Sequence, residues 1–223
     1  MTDEQIVLVG GLWLDAPAWD DVVSELAKLG RRARAVTLPA STDTTLDDQV
    51  RAVLEVVDAA GAGSVVVGHS AACALAWLVA DARPPQVGRV VMIGGFPQAD
   101  GDSYADLFPI ENGVMPFPGW EPFEGPDSAD LDDRARQRFA AAAVPVPENV
   151  AKGIVRLTDE RRYDVPVVMV CPEYTPAQAR AWLDAGDLPE LAKVKHLDLV
   201  DIDSGHWPML TRPAELARIL TDA

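Results

Sequence analysis

Short runs of apolar, β-branched residues recur along the chain, separated by longer stretches in which apolar positions repeat with helical spacing. The runs at 6–9, 33–38, 64–67, 89–93, 165–170 and 197–202 predict strands, and the stretches at 17–29, 46–60, 71–81, 176–185 and 213–220 predict helices. Several strand runs (VVV, VVMI, VVMV) are apolar without alternation, which is the pattern of strands covered on both faces. Strands and helices alternating in this order imply parallel strands joined by crossover helices. Pro17, Pro176 and Pro213 open the first, fourth and fifth helices, where a missing N–H has no helical partner to lose. The expected fold class is α/β, with a six-stranded, mostly parallel, doubly wound sheet.

Residues 96–162 break this rhythm, because two strands that one crossover helix would join are here much further apart. The first part of this segment is rich in Pro, Gly and acidic residues, and helices are expected only at 130–143 and 147–157. Its aromatic residues (Phe96, Tyr104, Phe108, Phe117, Trp120, Phe123) favour a packed cap over a linker, since disordered linkers are poor in aromatics. The chain therefore reads as one domain over residues 1–223, with a cap or lid inserted at about 96–162 before the penultimate strand.

Composition narrows the possible partners. Of the 223 residues, 48% are hydrophobic and 24% charged, as in ordinary soluble globular proteins. The 35 acidic residues outnumber the 19 basic ones, and a net charge of −16 repels nucleic-acid phosphates and anionic membranes. Neither is an expected partner; a small molecule is. Many of the acids lie between Glu111 and Asp133 in the cap, which disfavours anionic substrates if that face overhangs the site. Cys73 and Cys171 both sit in apolar stretches and read as buried, reduced thiols, not as a disulfide framework or a zinc site. The first residues, MTDEQIVLVGG, lack the basic region of a secretory signal, and no apolar run reaches the length of a membrane span. The expected location is cytoplasmic.

The sharpest local motif is VVVGHSAACALA, in which a strand meets Ser70 and turns at once into a helix. A strand, a tight turn centred on serine and a helix form a nucleophile elbow, which lifts the hydroxyl above the sheet edge. The motif here is G-x-S-x-A, with Ala72 in place of the usual second glycine. The second motif is SGHWPML, which places His206 between the last strand and the helix opened by Pro213. In an open parallel sheet ligands collect at the carboxyl ends of the strands, so Ser70 and His206 fall on the same edge. The pairing has a chemical reason, because a serine hydroxyl is a weak nucleophile until an imidazole accepts its proton. His69 reads as elbow scaffolding and His196 as structural. Gly10-Gly11 lacks the spacing of a nucleotide-binding loop, and EPFEGPDSADLDD lacks that of a calcium loop, so neither a cofactor nor a metal is expected. Trp13, Phe96 and Trp207 flank the strand ends and are candidates to line an apolar substrate pocket.

GHSAA, SGHWPML and the VLVGGLW segment at the first strand end together resemble the α/β-hydrolase superfamily. The resemblance is to its small-lid branch, which includes plant methyl-ester esterases, hydroxynitrile lyases and actinobacterial relatives, and it runs from residue 6 to about 220. It implies an α/β-hydrolase fold with Ser70 as nucleophile and His206 as general base. By the same resemblance, the backbone N–H groups of Leu12 and Ala71 form an oxyanion hole. The chain departs from the family at the triad acid. The loop after the penultimate strand reads Cys171-Pro172-Glu173-Tyr174, with Tyr174 where the esterase branch has aspartate. A neutral phenol cannot stabilise an imidazolium as a carboxylate does. Glu173, one residue earlier, is the first candidate for the acid, and Asp100 and Asp102, after the preceding strand, are the alternatives.

The expected function is that of a cofactor-independent serine hydrolase, carboxylesterase-like, acting on a small, apolar, neutral ester or lactone. A hydroxynitrile-lyase-like activity is the alternative within enzymes, but that group carries lysine directly after the catalytic histidine and this chain has Trp207. A low-turnover small-molecule binding protein on the same fold is the alternative outside enzymes.

Overall fold

The computed structural model describes residues 5–222. In chain order its elements are β1 (Gln5–Val9), α1 (Asp20–Lys28), β2 (Arg32–Ala35), α2 (Leu46–Ala60), β3 (Ser64–His69), α3 (Ala72–Ala82) and β4 (Val87–Ile93). The inserted segment contributes β5 (Val114–Met115), α4 (Asp133–Ala142), β6 (Val146–Pro147) and α5 (Glu148–Ala151). The chain then returns through β7 (Val167–Cys171), α6 (Pro176–Ala185), β8 (Leu197–Asp201), α7 (Pro208–Thr211) and α8 (Pro213–Asp222).

Six strands form one parallel sheet in the order β2-β1-β3-β4-β7-β8. Every residue of β3 and β7 is buried, whereas β2 and β8 at the edges are partly exposed, so the unalternating runs mark the strands covered on both faces. Helix α3 is buried from Ala72 to Asp81, as expected of a helix that is apolar all round. By contrast α1 is amphipathic and buries Val22 and Leu26. Capping boxes start α2 and α6: Thr45 and Thr175 each accept from the backbone N–H three residues on, and Asp48 and Gln178 accept in return.

Element boundaries shift where local chemistry dictates. The strand expected to extend to residue 38 ends at Ala35, with one further bond from Val36 N–H to Leu8 O before Pro39. The first helix begins as a 3-10 turn, Ala16–Trp19, capped by the Asp15 carboxylate. The cap is less helical than expected. α4 forms as expected, but the helix foreseen at 147–157 ends at Ala151. Beyond it the chain turns extended, because Gly153–Val155 pairs with the start of the cap: Tyr104 N–H donates to Gly153 O, Gly101 N–H to Val155 O and Val155 N–H to Asp102 O. The β-branched pair Ile154-Val155 suits this ladder better than a helix.

A buried ion network braces the helix that follows the elbow. The Arg162 guanidinium lies 3.2 Å from Asp81 on α3 and 3.0 Å from Glu190, and all three side chains are about 5% exposed. Trp77 Nε1–H donates to Glu190 at 3.0 Å, and Asp81 also accepts the backbone N–H groups of Thr158 and Asp159. Burial pushes the Glu190 carboxyl upward, but Trp77, Arg162 and Tyr163 together hold it below its ordinary value. A group whose pKa is lowered by folding stabilises the native state at neutral pH and loses that contribution as pH falls through the lowered value. Replacing Arg162 with Met leaves the buried Asp81 carboxylate without its cation and Glu190 with Lys193 alone, at 3.3 Å; urea unfolding should show a loss of about 3 kcal/mol or more at neutral pH, with a smaller loss on acidification than in the unmodified protein.

Candidate active site

The loops leaving β1, β3, β4, β7 and β8 all emerge at one edge of the sheet, and they carry the candidate residues. At the end of β3 Ser70 has φ 53°, a left-handed conformation that non-glycine residues rarely adopt. Its N–H donates to Ile93 O at 2.8 Å and its carbonyl accepts from Cys73 N–H at 3.0 Å, so the turn is tied to β4 on one side and α3 on the other. The turn needs glycine before it: a Cβ on Gly68 would lie 2.2 Å from Ala72 O. Ala72 itself does not have positive φ, which is why alanine serves where the usual motif has glycine.

His206 is held through both its ring and its backbone. Nδ1–H donates to Glu173 Oε1 at 2.8 Å, and each side chain is 15% exposed. The His206 carbonyl accepts from His69 Nε2–H at 2.8 Å, and the His206 N–H donates to Asp127 O in the cap at 2.7 Å. Next to it, Gly205 N–H donates to Asp130 Oδ2 at 2.9 Å. Burial pushes the His69 imidazole well below its ordinary pKa, with His206 adding to the effect, so His69 is a neutral donor here. The Asp127 carboxyl is raised by burial, opposed by His206 and reinforced by Glu173. The His206 ring also packs beside Gly94, 3.2 Å from where a Cβ would stand, and Gly95 packs directly against the Ser70 backbone. Ser70 and His206 therefore flank the same Gly94-Gly95 turn. Among the described residues the Ser70 hydroxyl makes no hydrogen bond to a protein group.

The alternative acids have other tasks. Asp100 is exposed and accepts Leu157 N–H at 2.8 Å, bracing the cap base. The Asp102 side chain is also exposed, and its backbone joins the same ladder. Tyr174, at the family's aspartate position, is buried and packs with Phe96 and Trp182 at ring separations of 5.7 and 5.0 Å. Phe96 thus joins a cluster with α6, while Trp13 and Trp207 enter the aromatic packing under the cap. Trp13 meets Phe108 and Phe117 at 5.4 Å each, and Trp207 meets Trp120 and Phe139 at 5.3 and 5.5 Å. Trp13, with φ 64°, also joins the β1 loop to the cap: Nε1–H donates to Met115 O and its carbonyl accepts Val144 N–H. The N–H groups of Leu12 and Ala71 donate to no protein acceptor among the described residues. His196 is exposed just before β8. Cys73 and Cys171 are buried and free, and burial pushes the Cys171 thiol up to about 12. No group of His, Cys, Asp and Glu among the described residues is disposed to hold a metal.

A family profile described as the alpha/beta hydrolase family matches residues 6–219. The chain belongs to that family. This α/β hydrolase is also similar to an extracellular α/β-hydrolase from a Paenibacillus species, with 20% identity, TM-score 0.80, and coverage of 99% of this chain and 98% of the other. That protein is described as sharing structural and functional homology with tobacco salicylic acid binding protein 2. A pyrethroid hydrolase from Sphingobium faniae is 18% identical at TM-score 0.68, covering 98% and 96% of the two chains. Tomato methylketone synthase I in complex with 2-tridecanone is 18% identical at TM-score 0.72, covering 100% and 98%. At these identities the likeness is one of fold. A search of curated proteins found no match. No helix among the described residues is long and apolar enough to cross a membrane.

Sequence reasoning missed the Asp127 and Asp130 contacts to the His206 loop. In the sequence they are two acids in an acidic run; the structure shows how close they come, with a Cβ on Gly205 standing 2.4 Å from Asp127 O. Asp130→Ala should speed amide hydrogen exchange at Gly205 by about tenfold to a hundredfold, a hydrogen bond to a charged group contributing about 1.5–3 kcal/mol. Asp130→Asn, which keeps an acceptor oxygen, should leave most of the protection in place.

Proposed function

We propose that this α/β hydrolase is a cofactor-independent serine hydrolase, carboxylesterase-like, that cleaves a small, uncharged carboxylic ester or lactone through an acyl-enzyme. The observation that carries the reading is the 2.8 Å hydrogen bond from His206 Nδ1–H to Glu173, beside a serine held at φ 53°. In a neutral ring that donates from Nδ1, Nε2 is the nitrogen that can take a proton. Ser70 Oγ attacks the substrate carbonyl carbon as its proton passes to His206 Nε2. The negative charge on the carbonyl oxygen is met by the N–H groups of Leu12 and Ala71, and Glu173 stabilises the imidazolium. Collapse breaks the bond to the alkoxy group, which leaves as the alcohol with the proton from His206. Water then gives a proton to His206 and attacks the acyl carbon, and the acid departs as Ser70 regains its proton.

The acids of the cap favour neutral or cationic substrates, since Asp127 and Asp130 stand against the His206 loop. Trp13 and Trp207, packed with the cap aromatics, and Phe96, packed with Tyr174 beside Glu173, are the apolar side chains nearest the site in this reading. Hydrolysis is preferred over cyanohydrin cleavage because Trp207, after the histidine, brings no charge to a leaving anion. The free, buried Cys73 and Cys171 support a cytoplasmic, reducing location.

Ser70→Ala should abolish hydrolysis of p-nitrophenyl acetate and labelling by a fluorophosphonate probe; an unmodified protein that neither labels nor turns over would overturn the proposal. Glu173→Gln should lower kcat by about 10³- to 10⁴-fold, by comparison with the corresponding change in serine proteases. Asp100→Asn should stay close to the unmodified rate, and the reverse result would move the acid to Asp100.

A further inference from the structure

The loop after β1 makes a tight turn from Gly11 to Leu14, closed by Leu14 N–H donating to Gly11 O at 3.2 Å. The turn starts against the nucleophile: a Cβ on Gly11 would lie 2.8 Å from that of Ser70 and 2.8 Å from His69 O. Its central residues are Leu12, the oxyanion donor of the hydrolase reading, and Trp13. Only the second of these has positive φ, at 64°. That combination is a type II turn, whose second central position normally takes glycine or asparagine. A bulky indole side chain is strained there, and without support the turn would relax to type I. Relaxation rotates Leu12 ψ and Trp13 φ by about 150–170°. It turns over the Leu12–Trp13 peptide and reverses the dipole that adjoins the Leu12 N–H.

The cap supplies the support. Trp13 Nε1–H donates to Met115 O at 3.1 Å, and Trp13 O accepts Val144 N–H at 2.9 Å. Both partners belong to one piece of the cap, because Met115 on β5 pairs with Val146 on β6, two residues after Val144. The indole is almost fully buried and meets Phe108 and Phe117 edge-on. One bond fixes the direction of the ring and the other fixes the Trp13–Leu14 peptide, so the two together leave Trp13 φ little freedom.

We infer that Trp13 is a positioning residue: through these two bonds the cap holds the Gly11–Leu14 turn in its strained form and keeps the Leu12 N–H aimed at the carbonyl oxygen of the substrate. The inference rests on the serine-hydrolase reading for the role of Leu12. Trp13 acts on the reaction only through Leu12. Its effect therefore falls on the charged transition state, where the donor matters most, more than on binding of the uncharged ester.

Val144→Pro removes the N–H that bonds to Trp13 O, whereas Val144→Ala keeps it. With p-nitrophenyl butanoate, Val144→Pro should lower kcat about fivefold, corresponding to about 1 kcal/mol, with KM within about twofold of the unmodified value. It should raise the inhibition constant of propyl trifluoromethyl ketone by the same factor, because Ser70 adds to that ketone and leaves an alkoxide in the oxyanion position. The intraresidue amide-to-Hα NOE of Trp13, which is strong at positive φ, should weaken in parallel. Val144→Ala should show none of these changes. Trp13→Phe, which keeps an aromatic ring but not the indole donor, should give the same three changes as Val144→Pro and carries the test if the proline variant does not fold. An unchanged kcat, a fall that Val144→Ala shares, a rise in KM alone, or a fall in kcat with the NOE intact overturns the inference. If the unmodified protein neither turns over the ester nor is inhibited by the ketone, the hydrolase reading fails and the inference falls with it. If it does both and the variants match it, the inference fails alone.

Discussion

Three stretches of backbone converge on Ser70 with no room between them for a side-chain carbon. Gly11 from β1, Gly68 from β3 and Gly95 after β4 each stand where an added Cβ would fall within 3 Å of the elbow or of the helix turn that follows it. This crowding holds a serine at φ 53°, a conformation costing of the order of 1–3 kcal/mol that persists only where its surroundings over-determine it. The order of the parallel sheet supplies the surroundings. β3 lies between β1 and β4, so the loops of its two neighbours press on the turn from either side. Trp13, held at φ 64° in the β1 loop, is a second strained residue at the same edge.

The His206 loop is governed by a different balance, between the sheet and the cap. His69, part of the elbow, holds the His206 carbonyl; the cap holds its N–H through Asp127 and its neighbour through Asp130. The imidazole is thereby oriented from three directions, with Glu173 as the third. The acidic part of the cap is therefore partly structural, and Asp127 lies close enough to His206 and Glu173 for both to act on its carboxyl. Displacing the cap loop would remove two of the contacts that hold the backbone at His206.

The sheet was legible because buried parallel strands need continuous apolar runs and crossover helices need a helical repeat, and both patterns are local. Ser70 and His206 stood out for a related reason: their flanking segments, a strand running into Gly-His-Ser and a Gly-His pair before a proline-opened helix, belong to that regular framework. The contact of Glu173 with His206 was less visible. A glutamate one position before the family's aspartate reaches the ring only because Tyr174 is turned inward to pack with Phe96 and Trp182, and no periodicity records that turn. The cap was least legible, since its order comes from aromatic packing and from side chain to backbone bonds such as those of Arg136 to Ser128.

The short ladder joining Gly101–Tyr104 to Gly153–Val155 brings the two ends of the cap together beside the sheet. Closing the insertion at its root makes the entropy of the intervening loop depend only weakly on its length. Residues between the two halves of that ladder can therefore lengthen, shorten or be exchanged with little burden on the sheet. Two docking points travel with them, the Trp13 contacts and the acceptors for the His206 loop, and any replacement has to supply both. The geometry is that of a module closed at its root, with a fixed plug into the sheet edge.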